Sequence, residues 1–320
     1  MSGKRLLLNL VIGAASLAAL YLLYRAFQKY TWADIFESVQ ALPWSNLGFS
    51  LLFCAGSYLS LSLFDALGVR YAGKPLPFHR TLLASFCGLS IGHTVGLAAL
   101  SSGAVRYRFY SRWGLSNEEI AKVIVFCGVT VGLGLAALAG IGLLLRPQAA
   151  QALGIGEGVA MTIALTCLAA CAAYVVASVF LRGSVRLWKW TVDMPDWRLA
   201  LGQIAVGTVN FACVAACLHQ LMRAYGNAGY FDVATAYVTG NVATLISHVP
   251  GGLGVLEATV MHLIGEQKAI GALIAFRVIY FFIPLAIGLV LFLTSSFYLR
   301  EPEEERSENQ PSKREAAVLN

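Results

Sequence analysis

Apolar runs longer than the roughly 20 residues that cross a bilayer core recur along this chain, and they leave few folds open to it. In hydrocarbon every backbone N–H and C=O needs an internal partner, so such runs become helices or close into a barrel. Barrel strands alternate polar and apolar residues over segments of about ten; these runs do not alternate. The expected fold class is therefore an all-α polytopic membrane protein. Only 12% of the residues are charged, against about 25% in a soluble domain. No loop between the runs is long enough to hold a soluble catalytic domain.

Six runs read as full transmembrane helices: Leu6–Leu23, Leu47–Val69, Ile120–Leu145, Val159–Leu181, Leu199–Leu221 and Ala269–Tyr298. Lys4 and Arg5 precede the first, which lacks a small-x-small cleavage site and reads as an uncleaved span. Ser116 has the character of an N-cap, with Glu118 and Glu119 in the first turn that follows. Gly128, Gly132 and Gly134 lie where small residues let membrane helices approach, or where glycine merely faces lipid. Gly154-Ile155-Gly156-Glu157-Gly158 reads as a turn and not as a nucleotide loop, because no strand precedes it. Residues 1–299 form the expected membrane domain, and 300–320 an expected disordered, polar tail.

Two apolar segments are broken. Thr81–Leu100 carries Gly92, His93 and Gly96 and runs into Ser101-Ser102-Gly103, with Arg106 and Arg108 next. Ala234–Ile264 carries His248, Pro250, Gly251, Gly252 and Gly254, with Glu257 next. Proline removes a donor and clashes with the preceding turn, and glycine admits backbone angles closed to other residues.

The positive-inside rule decides how these segments cross. If each crosses once, the loops expected inside hold seven Lys and Arg and those outside eleven. If each enters and leaves by one face, the inside holds thirteen and the outside five. The second arrangement is expected. It has six full spans, two re-entrant hairpins entering from opposite faces, and both termini cytoplasmic. Broken elements in corresponding halves point to a site at mid-membrane.

Charges at that depth are costly and need partners or water. Asp65, Arg106, Arg108, Glu257 and Arg277 are the candidate substrate-binding residues. Arg106 and Arg277 suit an anionic headgroup through charge-assisted bonds; Asp65 and Glu257 suit an amine or a proton. The competing reading pairs Arg277 with Glu257 or Glu266 and lets Asp65 and Arg70 snorkel at a helix end. His93 and His248 are candidate titrating groups or packed histidines. The seven cysteines all fall in apolar segments and read as packing. No catalytic, nucleotide-binding or metal-ligand motif occurs, so neither an enzyme nor a cofactor is expected, and no basic stripe suggests nucleic acid.

RYRFYSRWGLS (Arg106–Ser116), SHVPGGLGVLEA (Ser247–Ala258) and FRVIYFFIPL (Phe276–Leu285) together resemble the motifs of the YbhN-type inner-membrane family. That family is related to the flippase domain of lysyl-phosphatidylglycerol synthase, the multiple peptide resistance factor. The resemblance implies a flippase-like domain in a bacterial inner membrane that handles a phospholipid or related lipid. It places Arg106, Glu257 and Asp65 at the family's motif positions. The alternative reading, of another class, is a non-transporting membrane scaffold that partners a lipid-synthesising enzyme and binds lipid headgroups.

Overall fold

The computed structural model describes residues 33, 36, 40, 42–95, 98–180, 184–187, 190–247, 252–264 and 269–298. The first expected span, Leu6–Leu23, and the tail 300–320 lie outside them. Among the described residues, five helices are long and apolar enough to cross a membrane.

Helix α1 (Trp44–Tyr71) follows Pro43 and stops at Gly73, whose φ of +78° turns the chain toward Pro75 and Pro77. Helices α2 (Phe78–Val95) and α3 (Ala98–Arg112) follow. Helix α4 (Asn117–Leu145) starts at the expected cap: Glu119 N–H donates to Ser116 Oγ, and Ser116 N–H donates to the Glu119 carboxylate at 2.7 Å. A 3₁₀ turn (Pro147–Leu153) ends at Gly154, φ +70°, and leads to α5 (Glu157–Phe180). Next come α6 (Trp197–Met222), α7 (Tyr230–Ser247), α8 (Val255–Ile264) and α9 (Ala269–Phe276). A π-helical stretch, Arg277–Phe282, joins α9 to α10 (Ile283–Tyr298).

The class is helical, as expected, apart from one short hairpin. Ser184–Leu187 (β1) and Trp190–Asp193 (β2) pair antiparallel between α5 and α6. This hairpin is tied down by Asp193, whose carbonyl accepts from the Tyr71 hydroxyl and whose carboxylate pairs with Lys122 at 3.3 Å.

Helix α1 packs along α6, and α4 packs against both. At one end of the bundle the C-terminus of α1 meets the N-terminus of α4, with the Tyr71 and Phe126 rings stacked at 5.0 Å. At the other end Asn46 Nδ2 donates to the Gln220 carbonyl at 2.8 Å, and Gly229 abuts Arg146. The closest crossing is α4 on α6. A Cβ on Gly134 would sit 2.5 Å from the Gly207 backbone, and one on Gly207 would sit 2.7 Å from the Thr130 carbonyl. Gly128 and Gly132 have nothing within 4 Å; Gly134 alone of the three makes the contact.

Each broken segment is two antiparallel helices. In the first, Gly88 on α2 lies against the Ser102 carbonyl and Arg106 on α3. In the second, Gly240 on α7 lies against Leu256 on α8, and Gly252 against Thr244. Their bases sit at opposite ends of the bundle. Tyr107 near the base of the first donates to Asn117 at the start of α4. Asp232 near the base of the second lies beside Gly229 and Arg146, past the end of α4.

The positions of the breaks partly differ from expectation. Gly92 lies inside α2 and Gly103 inside α3; the helix runs through Ser101-Ser102-Gly103 because α3 has already begun at Ala98. Residues 96–97, Gly96 among them, lie outside the described residues. Gly252 (φ +60°) and Gly254 (φ +88°) do stand at the second break, in the conformation glycine favours. His248, Pro250 and Gly251 lie outside the described residues.

Candidate functional site

Two buried ion pairs tie the two hairpins to long helices. In the first, Arg106 on α3 reaches Asp65 on α1: its Nε donates to Oδ1 at 2.8 Å and to Oδ2 at 3.1 Å. Its Nη1 donates to Ser102 Oγ at 2.9 Å, one turn back on the same helix. The Cys127 thiol on α4 donates to Asp65 Oδ1 at 3.1 Å. Asp65 is wholly buried and Arg106 is 4% exposed. Asp65 thus does not snorkel. It is held inside because α1 runs six residues further to Tyr71, about 9 Å at 1.5 Å per residue.

In the second pair, Arg277 Nε donates to Glu257 Oε1 at 2.7 Å and Nη2 to Oε2 at 3.1 Å. The same Nη2 donates to the Gly252 carbonyl at 3.0 Å, and the Gly254 N–H donates to Glu257 Oε2 at 2.8 Å. One arginine therefore closes both a carboxylate and a carbonyl freed by the glycine turn. Its guanidinium also lies 4.6 Å over the Phe281 ring. Glu257 stands seven residues before the end of α8, about 10 Å from the opposite end of the bundle.

The π-helical stretch is the meeting point. Pro284 has no N–H to offer the Tyr280 carbonyl four residues back. Ile283 N–H instead reaches the Val278 carbonyl, five back. Helix α1 supplies the missing donors: the Tyr58 hydroxyl to the Tyr280 carbonyl at 3.2 Å, and the Cys54 thiol to the Ile279 carbonyl at 3.4 Å. Ser57 Oγ donates to Asn210 Oδ1 at 2.7 Å, so the Tyr280 hydroxyl, 2.8 Å from Ser57, is the donor in that contact. Near the tip of the first hairpin, the His93 ring sits 6.3 Å from Tyr280 and 6.4 Å from Phe281. The turn of the second is bonded to Arg277, one helical turn before Phe281. His93 and Gly252, each near its break, thus both meet Arg277–Phe282, half-way along α1 at Ser57 and Tyr58.

Of the five charged candidates, Asp65, Arg106, Glu257 and Arg277 form the two ion pairs described above. Arg108 is half-buried with its guanidinium 4.3 Å over Phe292. The Tyr58, Ser57, Asn210 and Tyr280 network was not expected. Its signal is legible in hindsight: Ser50, Cys54, Ser57, Leu61 and Asp65 recur at helical spacing on α1. All five are buried, and Ser50 donates to the Cys217 carbonyl at 3.2 Å.

Residues 6–288 match the family described as the lysylphosphatidylglycerol synthase TM region. The chain is 30% identical over 291 residues to the uncharacterized protein slr0712 of Synechocystis sp., covering 89% of this chain and 90% of that one. It is 30% identical over 293 residues to inner membrane protein YbhN of Escherichia coli K12, covering 87% and 88%.

Proposed function

We propose a function from one premise: this chain belongs to the lysylphosphatidylglycerol synthase transmembrane-region family and is a multi-pass membrane protein. It works as a lipid flippase-like protein of a bacterial inner membrane, taking a phospholipid headgroup to mid-membrane between the two hairpins. The hairpins are re-entrant, one from each face, and both termini are cytoplasmic.

One observation carries this reading. Each hairpin is closed onto the bundle by a single buried arginine–carboxylate pair. Such a pair is a weak source of net stability, because desolvation offsets most of the Coulomb attraction. It is also the type of contact that a phosphate can replace, since a guanidinium recognises carboxylate and phosphate with the same fork of donors. An incoming headgroup that draws off Arg106 opens the hairpin at one face; one that draws off Arg277 opens the other. The paired state is the closed one. Driving force comes from gradients or lipid metabolism.

The test is leaflet-resolved lipid translocation in vesicles containing the purified protein, with co-purified lipid identified by mass spectrometry. Translocation lost in Arg106→Ala and Glu257→Gln supports the reading. Co-purified lipid with no translocation of any common lipid supports a scaffold for a lipid-synthesising enzyme instead.

A further inference from the structure

Arg106 and Arg108 stand two positions apart on α3, about 200° around the helix. Arg106 turns inward to Asp65, and Arg108 projects from the other side, its guanidinium 4.3 Å over the Phe292 ring on α10. Arg112, one turn beyond Arg108 at the end of α3, shares that side and is exposed. At the start of α2 the half-buried Arg80 lies with its guanidinium 5.6 Å over the Trp113 ring. Rings join the two arginines: Trp113 meets Phe109 at 5.4 Å, and Phe109 meets Phe292 at 6.1 Å. The base of the first hairpin thus sets Arg80, Arg108 and Arg112 around one row of aromatic rings.

The elements that build this patch bring no acid to it. The chain has no Asp or Glu from Ala66 to Asn117, and α10 has none. Carboxylates at this end of the bundle are engaged elsewhere: Glu118 and Asp193 with Lys122, Glu119 with the Ser116 N–H, and Asp196 with the Arg198 N–H. Phe78 and Leu82 on the first turns of α2, and Leu293 beside Phe292, are exposed large apolar side chains. Arginine and tryptophan at a helix end above an apolar flank are the composition of a membrane interface. Basic pockets between membrane helices hold anionic headgroups there. Ring contact draws on the charge and the face of a guanidinium, whereas a phosphate is taken by its fork of N–H donors, so the two act together.

We propose that Arg80, Arg108 and Arg112 form a docking site for the phosphate of an anionic phospholipid, whose acyl chains lie along Phe78, Leu82 and Leu293. The site is on the other side of α3 from the Asp65–Arg106 pair. It goes beyond the function proposed above, because it holds for a flippase and for a scaffold alike.

Binding is measured by native mass spectrometry and thermal unfolding of the purified full chain in detergent. The probes are phosphatidylglycerol, phosphatidylethanolamine, soluble glycerophosphoglycerol and inorganic phosphate. Phosphatidylglycerol is expected to bind about fivefold or more tightly than phosphatidylethanolamine, whose ammonium offsets the phosphate charge. Arg108→Gln is expected to lose about tenfold in phosphatidylglycerol affinity, and Arg112→Gln about fivefold. Arg108 also packs on Phe292, so the exposed Arg112 supplies the separate readout: Arg112→Gln keeps the lipid-free unfolding temperature while losing affinity. Lys122→Gln, whose ammonium is held by Glu118 and Asp193, keeps wild-type affinity. Phosphatidylethanolamine bound as tightly as phosphatidylglycerol overturns the inference, as do Arg108→Gln and Arg112→Gln with wild-type affinity. An equal loss in Lys122→Gln marks diffuse surface charge and overturns it as well. Inorganic phosphate or glycerophosphoglycerol matching the lipid overturns the lipid source. Phosphatidylglycerol binding that emerges only when Glu301, Glu303, Glu304 and Glu305 are changed to Gln assigns the patch to the chain's own acidic tail and overturns the lipid docking site. Failure here leaves the translocation test standing, since that test probes the Asp65–Arg106 and Glu257–Arg277 pairs.

Discussion

Arg277 makes charge-assisted hydrogen bonds to both Glu257 oxygens and to the Gly252 carbonyl and is 2% exposed. Removing its partner leaves a bare cation, and that asymmetry decides what mutations do. Glu257→Gln is expected to cost about 3–5 kcal/mol, because a buried charge loses its counter-charge. The double variant Glu257→Gln with Arg277→Met is expected to recover most of that, since replacing both members is often neutral. Denaturant unfolding in detergent checks it: a double variant as unstable as the single one would mean that the pair is not the source of the loss. Sequence reading found Asp65, Arg106, Glu257 and Arg277 because charge in an apolar run is conspicuous. It did not find Tyr58 or Ser57, because uncharged hydroxyls are inconspicuous in an apolar run and their partners, Tyr280 and Asn210, lie far along the chain.

The helix crossings show where patterns of residue type mislead. A Gly-xxx-Gly spacing such as Gly128/Gly132 says that a face is small, not which face is covered. Here Gly134 carries the α4–α6 crossing and the other two stand clear. Gly207→Ala must push two backbones apart and is expected to cost about 1–3 kcal/mol. Gly128→Ala is expected to change stability by no more than about 0.5 kcal/mol. Equal unfolding temperatures for the two variants would show that the crossing is slack. The first hairpin shows the same at Gly103, a residue type that suggests a break. Ser101-Ser102-Gly103 disfavours a helix by propensity, yet packing of Gly88 against Ser102 keeps it helical. In the last span, Pro284 marks the irregular stretch, but the sequence does not say that α1 would supply the donors it needs. Tyr58→Phe leaves the Tyr280 carbonyl without its donor and is expected to destabilise the protein by about 1–3 kcal/mol. A variant with unchanged unfolding would remove Tyr58 from that role.

At the scale of the whole molecule, counting Lys and Arg leads one to expect two hairpins from opposite faces; the helices place the bases of the two broken segments at opposite ends of the bundle, and which membrane face each end meets is a matter for labelling. The count reads only loops; it says nothing of how His93 and Gly252, near the two breaks, come to pack on Arg277–Phe282. Single cysteines at Arg80 and at Phe231 are expected to label from opposite faces of the membrane, with Arg80→Cys reached from the cytoplasm. Labelling of both from one face would dismantle the arrangement. The central claim is that the buried pairs open in turn to a lipid headgroup. Its most direct measurement is translocation of phospholipid between leaflets of vesicles holding wild type, Arg106→Ala, Glu257→Gln or Gly128→Ala at equal protein density. The account predicts translocation by wild type and Gly128→Ala and none by the other two. Wild-type translocation with Arg106→Ala and Glu257→Gln fully active would contradict it.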